Sequence, residues 1–314
     1  MPDTRFLSCG SRQIMPRFKP YPYAFIRGKI VPTEKAQISI MTNSLHYGVG
    51  AYGGLKAYET EDGVEIFRLE DHLKRLEDSV KILKFPFKFD AQAVKKTIIE
   101  LVGKNKLSGT SYIRPLVYRS DTMLSPDIAG EYDLAIYIMH MPEYFTAGAG
   151  IDVCVSNWQR NSDNTIPPRT KATGGYINSA LAINDAHEAG YDSAIMLDKN
   201  GHVSEGAVMN IFLVKDGKLI TPSPDSDILE GITRKTIIEL AEEMSLTLIE
   251  RQVDRSELYG ADEVFFTGTA ANVTWCRSID KTEISKDIGP VTAKLTAAFV
   301  DLAKTHPQYF TKIS

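Results

Sequence analysis

Two short segments in the second half of the chain have the residue types to hold an anion. Leu229-Glu230-Gly231-Ile232-Thr233-Arg234 reads as the opening of a helix, whose unpaired amides and positive dipole end attract phosphate. The plainer reading, that Thr233 is an N-cap, covers the same residues, since capping is what threonine does at most helix starts. Thr267-Gly268-Thr269-Ala270-Ala271 follows a strand. It is either a turn whose amides and hydroxyls grip an oxyanion or an ordinary strand-to-helix turn. The pair suits a ligand with a phosphate and a carboxylate, without identifying it. Arg75, off the apolar stripe of its helix, could reach a phosphate or stand in solvent. Lys171 lies in a tight polar turn between Pro168 and Gly174-Gly175. Exposed, its amine would be inert; desolvated, it could form a Schiff base. Spacing alone does not choose it over the other lysines.

The chain that must position these groups has 314 residues, 43% hydrophobic and 24% charged, which is globular and long enough for two cores. A net charge of -4 supplies no basic field for nucleic acid or an anionic membrane, so any anion must be held locally. Cys9, Cys154 and Cys276 are odd in number and far apart, against a disulfide framework or a zinc site and in favour of reduced thiols in a cytoplasm. The six histidines make no ligand pair, so no metal is expected. No run approaches the ~20 apolar residues of a membrane span, and the N-terminus lacks a signal-peptide core.

Residues 1–20 read as an irregular arm. Residues 23–30 and 36–41 read as strands joined by a tight turn at Gly28, and 111–118 and 133–141 as further strands. Helices are expected at 70–84, from Leu73, Leu76, Val80 and Leu83, and at 91–104, from Val94, Ile98, Leu101 and Val102. Pro142, Gly148 and Gly150 mark residues 141–150 as the interdomain loop. This makes residues 1–140 a small N-terminal domain and 151–314 a C-terminal one. In the latter, strands are expected at 151–155, 193–197, 211–214, 218–221 and 264–266, with Asp216-Gly217 as a hairpin turn. Helices are expected at 176–189, 233–244 and 291–306. The pattern is α+β, not the regular alternation of a doubly wound sheet.

Taken in order, the motifs resemble the class IV pyridoxal-phosphate aminotransferases, and specifically the branched-chain amino acid aminotransferases. Leu45-His46-Tyr47-Gly48 is similar to the family's LHYG. Phe67-Arg68 with His72, Arg75, Leu76 and Ser79 is similar to its FR, H and RLxxSxK helix, and Tyr112-Ile113-Arg114-Pro115 to its YIRP. The second half adds Asn164-Thr165-Ile166-Pro167 with Lys171 and Tyr176, Val203-Ser204-Glu205-Gly206-Ala207 with Asn210, Gly231-Ile232-Thr233-Arg234, and Asp262-Glu263-Val264-Phe265 with Gly268-Thr269-Ala270. So many strings in register outweigh any one alone.

The resemblance implies a two-domain fold like D-amino acid aminotransferase, fold type IV, with the larger C-terminal domain β-barrel-like and carrying helices. It implies that Lys171 holds pyridoxal 5′-phosphate as a Schiff base and then carries the proton between Cα and C4′. Glu205 would face the pyridine nitrogen and keep it protonated, and Tyr176 would hydrogen-bond the ring's phenolic oxygen. Arg75, the amides at Ile232 and Thr233, and Thr269 would hold the phosphate. The substrate pocket would take Tyr52, Gly54, Tyr112, Arg114 and Tyr144, with Thr269, Ala270 and Ala271 presenting amides to the α-carboxylate and Tyr47 reaching in from a second copy of a homodimer or larger homo-oligomer. Arg114 among tyrosines suits both a leucine-like chain and the distal carboxylate of glutamate or 2-oxoglutarate.

One stretch departs from the pattern. Where many members read FEGIR, this chain has Tyr52-Gly53-Gly54-Leu55-Lys56, and lysine cannot reproduce an arginine fork. Rival readings within the fold are a D-amino acid or (R)-amine aminotransferase, which the LHYG and YIRP runs disfavour, and aminodeoxychorismate lyase. A catalytically silent binding protein is the rival of another class, disfavoured by Lys171 and Glu205 both being kept.

Overall fold

Arg27 and Gly28, both at positive φ, turn the chain between β1 (Tyr23–Ile26) and β2 (Lys29–Pro32), a conformation glycine adopts without cost. The computed structural model describes residues 19–141, 145 and 148–313. After β2 come α1 (Asn43–Tyr47), β3 (Gly50–Tyr52), β4 (Leu55–Thr60), β5 (Gly63–Phe67), α2 (Leu69–Ile82), α3 (Ala91–Asn105), β6 (Thr110–Arg119) and β7 (Tyr132–His140). These strands form one sheet in the order β5-β4-β6-β7-β1-β2, with β3 also on β6.

The faces of this sheet divide the labour. Side chains alternate along a strand, so Leu55, Ala57 and Ile113 point to one side and pack with Leu69, Leu73, Leu76, Val94, Ile98 and Leu101 of α2 and α3. Burying each of these leucine, isoleucine and valine side chains contributes about 1.5–3 kcal/mol. Asp90 caps α3, its Oδ1 accepting from the Gln92 and Ala93 amides at 3.0 Å. The opposite face carries Lys56, directly across from Tyr112, and Arg114, directly across from Tyr137. That face is where the second half of the chain docks.

The second half runs β8 (Ile151–Val155), α4 (Tyr176–Glu188), β9 (Ser193–Leu197), β10 (Val203–Gly206), β11 (Asn210–Lys215), β12 (Lys218–Thr221), α5 (Ile232–Glu243), β13 (Leu248–Glu250), α6 (Glu257–Gly260), β14 (Glu263–Gly268), β15 (Asn272–Ile279), β16 (Thr282–Glu283), α7 (Pro290–Val300), α8 (Leu302–Thr305) and β17 (Phe310–Ile313). β8 to β16 make a mixed nine-stranded sheet in the order β10-β9-β8-β15-β14-β11-β12-β13, with β16 on β15. β17 instead returns to the first sheet and pairs with β5, a crossing that a division at 141–150 does not anticipate. The fold is two-domain α+β.

Three expectations need correction. Residues 36–41 form no strand; Ile38 and Ile40 alternate as a strand would, but they and Met41 are exposed as the chain leaves the edge strand β2 for α1. The helix expected at 291–306 breaks at Asp301, and Pro307 opens a short 3-10 turn. The turn after β14 leads into another strand, β15, not a helix: Gly268 pairs with Asn272 across a hairpin.

Candidate active site

A cavity of about 350 Å³ lies between the two sheets. Of the residues singled out from the sequence, it collects Tyr52, Gly54, Arg75, Tyr112, Arg114, Lys171, Tyr176, Glu205, Ile232, Thr233, Thr269, Ala270 and Ala271. Tyr47 does not line it but stands on α1, 41% exposed. Tyr144 lies outside the described residues.

The lysine turn belongs to the second half of the chain but is built onto the first. Lys171 O accepts from the Tyr52 amide at 3.1 Å, and the Thr173 amide donates to Gly50 O at 2.9 Å. A side chain at Gly48 would collide with the Gly174 backbone at 2.6 Å, so the two glycines permit this approach. Ser79 of α2 accepts from the Lys171 amide at 3.2 Å. Lys171 Nζ donates to Tyr176 Oη at 2.6 Å and sits 5.1 Å from the centre of the Tyr52 ring. Burial works to raise the Tyr176 phenol, but Lys171, the Tyr52 hydroxyl and Arg160 together pull it down and the net shift is downward. Tyr52, its ring 5.3 Å from that of Tyr176, is pushed up by burial.

Glu205 on β10 is almost fully buried and accepts from three donors: Arg160 Nη2 and Asn210 Nδ2, each at 2.8 Å, and the Leu229 amide at 3.2 Å. Burial pushes its carboxyl above the ordinary range, against the pull of Arg160. The sequence alone assigns no role to Arg160 or Asn210. Asn210, five residues on, lies inside a matched run; Arg160 follows Trp158-Gln159 with no local signal, and only the fold brings it here.

At the start of α5 the N-cap is Gly231, not Thr233, with no side-chain acceptor on the first amides. Arg75 Nη1 reaches this end, donating to Glu230 O at 3.2 Å, and has no ion-pair partner among the described residues. Arg68 holds the two helices together, donating from α2's N-cap to Thr236 Oγ1 at 2.8 Å and Glu239 Oε1 at 3.0 Å on α5. The hydroxyl of Thr267, also on the cavity wall, is buried without a partner among the described residues. An arginine, an uncapped helix start and an orphaned hydroxyl converge on one place, as an anion site requires.

Arg114 is held differently. Its guanidinium carbon lies 4.5 Å from the Tyr52 ring centre, 5.0 Å from Tyr112 and 5.9 Å from Tyr137, and Nη2 donates to Tyr112 Oη at 3.0 Å. It too has no ion-pair partner among the described residues, and its Nε is buried unpartnered. A Cβ at Gly54 would sit 2.1 Å from Tyr112 Oη.

A family model described as Amino-transferase class IV matches residues 50–279. The chain belongs to the class IV aminotransferases. The branched-chain-amino-acid aminotransferase of Escherichia coli (strain K12) is 39% identical over 286 residues, 89% of this chain and 92% of that protein. Among solved structures, the branched-chain aminotransferase of Thermoproteus uzoniensis with norvaline is 35% identical with a TM-score of 0.90, covering 94% of this chain and 100% of that one. The T.th. branched-chain amino acid aminotransferase complexed with N-(5'-phosphopyridoxyl)-L-glutamate is 34% identical with a TM-score of 0.88, covering 94% and 99%. One cavity is thus lined by an amine, a buried carboxylate, an uncapped helix start beside Arg75, and an arginine flanked by tyrosines. Among the described residues no group of three or more His, Cys, Asp or Glu is placed to bind a metal, and no helix is long and apolar enough to cross a membrane.

Proposed function

We propose that this chain moves the amino group of branched-chain L-amino acids (leucine, isoleucine, valine) to 2-oxoglutarate, using pyridoxal 5′-phosphate held on Lys171. The observation that carries the reading is Arg114, an unpaired guanidinium among three tyrosines, in the cavity that also contains Lys171 and Glu205. Aromatic faces accept an aliphatic side chain, and the same guanidinium accepts the distal carboxylate of the second substrate. The relatives solved with norvaline and with a phosphopyridoxyl-glutamate support both halves of the assignment.

The residues fit the cofactor. Arg75, the amides at Ile232 and Thr233, Thr269 and the unpartnered Thr267 hydroxyl would hold its phosphate. When bound, the cofactor supplies an aldehyde that condenses with amines and a ring that takes up the electron pair left at Cα. Lys171 Nζ is the attachment point and afterwards the base that moves the Cα proton. Tyr176 orients that amine, and Glu205, braced by Arg160 and Asn210, holds the pyridine nitrogen's proton. The amides of Thr269, Ala270 and Ala271 would bind the α-carboxylate, with Tyr52, Gly54, Tyr112 and Tyr144 around the side chain. The division into domains at residues 141–150 and a cytoplasmic location complete the proposal.

Single half-reactions with L-leucine, L-glutamate, D-alanine and (R)-phenylethylamine test it by the cofactor spectrum. L-Leucine and L-glutamate are expected to react and the other two to lag; fast D-alanine conversion would favour the D-amino acid reading. In Arg114→Ala the glutamate half-reaction is expected to slow about 10–100-fold, the worth of a lost charged hydrogen bond, and the leucine half-reaction only about threefold. Equal losses would show that Arg114 does not read the distal carboxylate.

We also propose that two copies pack through α1 and the loop at 123–125, bringing Tyr47 to the neighbour's cavity. Asn43 Nδ2 donates to Met123 O and Ser125 O, making one surface on which Ile40, Met41, Leu45 and Leu124 are exposed. Leu124→Glu is expected to halve the sedimenting mass and cut activity about tenfold at matched protein concentration; an unchanged mass would contradict the proposed interface.

A further inference from the structure

Lys56 projects from β4 on the site-facing side of the first sheet, opposite Tyr112, and is 6% exposed. It has no ion pair among the described residues. Its Nζ donates to Asn272 Oδ1 at 2.6 Å and reaches Ala270 O at 3.5 Å. Both acceptors belong to the hairpin end where β14 turns into β15, Ala270 in the turn and Asn272 as the first residue of β15, and that turn presents Thr269, Ala270 and Ala271 to the cavity. Asn272 stands at φ 55°, a left-handed conformation asparagine tolerates, and pairs with Gly268 to close the hairpin.

The turn is only partly buried. A second cavity of about 660 Å³, lined by Lys56, Ala270, Ala271, Asn272, Trp275 and Phe299 among others, opens on its far side. Between two spaces, the 268–272 hairpin end is packed into the core only at Ala271, and Thr269 and Ala270 are half-buried. One polar tie is internal, Thr274 Oγ1 donating to Ala271 O at 2.8 Å. The lysine supplies the tie to the first sheet.

We propose that Lys56 is a positioning residue that clamps the 268–272 turn to the first sheet and thereby sets the backbone amides that receive the substrate's α-carboxylate. The clamp rests on the reading of that turn as the carboxylate site. It acts through the turn and touches neither substrate nor cofactor. A single ammonium stands where many relatives of the resembled family carry a guanidinium, so the clamp can also be weakened by deprotonation, which turns charge-assisted hydrogen bonds into neutral ones. Burial lowers the Lys56 pKa to about 8. On its sheet face the titratable and charged groups are Tyr58, Tyr112, Arg114 and Tyr137, on β5 Glu65 is paired with Lys312 at 3.2 Å, and the turn presents Asn272 and the Ala270 carbonyl. Protonated Lys56 favours carboxylate binding, so affinity is full below pH 8 and falls as the pH rises through it.

The test compares Lys56→Met, Lys56→Arg and Asn272→Gly with the parent, all loaded with cofactor. Hydrogen exchange of the 268–272 amides, read without substrate, is expected to quicken about tenfold in Lys56→Met and Asn272→Gly and to return to near the parent rate in Lys56→Arg. KM for L-leucine is expected to rise about tenfold in the same two variants with kcat within about threefold. Above pH 8, KM should climb in the parent and not in Lys56→Arg. Unchanged exchange in Lys56→Met overturns the clamp, and faster exchange without a KM change overturns its link to the carboxylate. A parent enzyme that ignores L-leucine defeats the functional reading instead, and the exchange result then still decides whether the clamp exists.

Discussion

Lys171→Ala is expected to lower kcat for amino transfer by roughly 10⁴-fold or more, because under the proposed function it would remove the attachment point and the proton carrier in one change. The fold should survive. The turn is held by backbone bonds, Lys171 O to the Tyr52 amide and the Lys171 amide to Ser79 Oγ, and alanine keeps both. What disappears is the donor to Tyr176 Oη. Single-turnover spectra check this: the variant should lack the absorbance band near the visible edge, yet match the parent's circular dichroism. Turnover within about tenfold of the parent would place the chemistry on another amine.

Glu205→Gln should cost roughly 10²–10³-fold in kcat, the scale on which a preorganised charge beside a reacting group is worth. The substitution has a structural side effect that must be separated. Arg160, paired with Glu205 at 2.8 Å, would be left buried without an anion, which destabilises a protein by about 3–5 kcal/mol. Arg160→Met provides the control, since it removes the same ion pair and leaves the carboxylate. If Glu205 serves the cofactor, Arg160→Met loses stability but keeps kcat within about tenfold, whereas Glu205→Gln loses both. Matching losses in kcat would reduce Glu205 to a partner for Arg160.

How far the sequence reaches depends on the kind of signal each part carries. The helices at 69–82 and 91–105 declare themselves through apolar residues at helical spacing, which is the signal their packing requires. β3 and β4 escape notice because Gly50, Gly53 and Gly54 read as loop. Those glycines are there for close approach, to Thr173, Pro115 and Tyr112 respectively. β17 merges with the C-terminal half because four residues after a proline carry too little pattern to announce a return to the first sheet.

At the site, local sequence is ambiguous where the answer lies in distant contacts. Spacing cannot choose Lys171; its neighbours Ser79 and Tyr52 come from about 90 and 120 residues away. The family motifs supply the choice. Thr233 as an N-cap is the wrong plain reading, since Gly231 takes that position and the helix start is left open. Arg160 carries no motif, and only the burial of Glu205 explains it. Lys56 marks where the motif breaks, and the structure gives the replacement a definite set of contacts.

The most direct measurement loads the purified protein with pyridoxal 5′-phosphate, reduces it with borohydride and maps the tagged peptide by mass spectrometry. One label per chain, on Lys171, is the predicted result. A label on a different lysine, or none at saturating cofactor, would contradict the assignment on which every proposed role at this site depends.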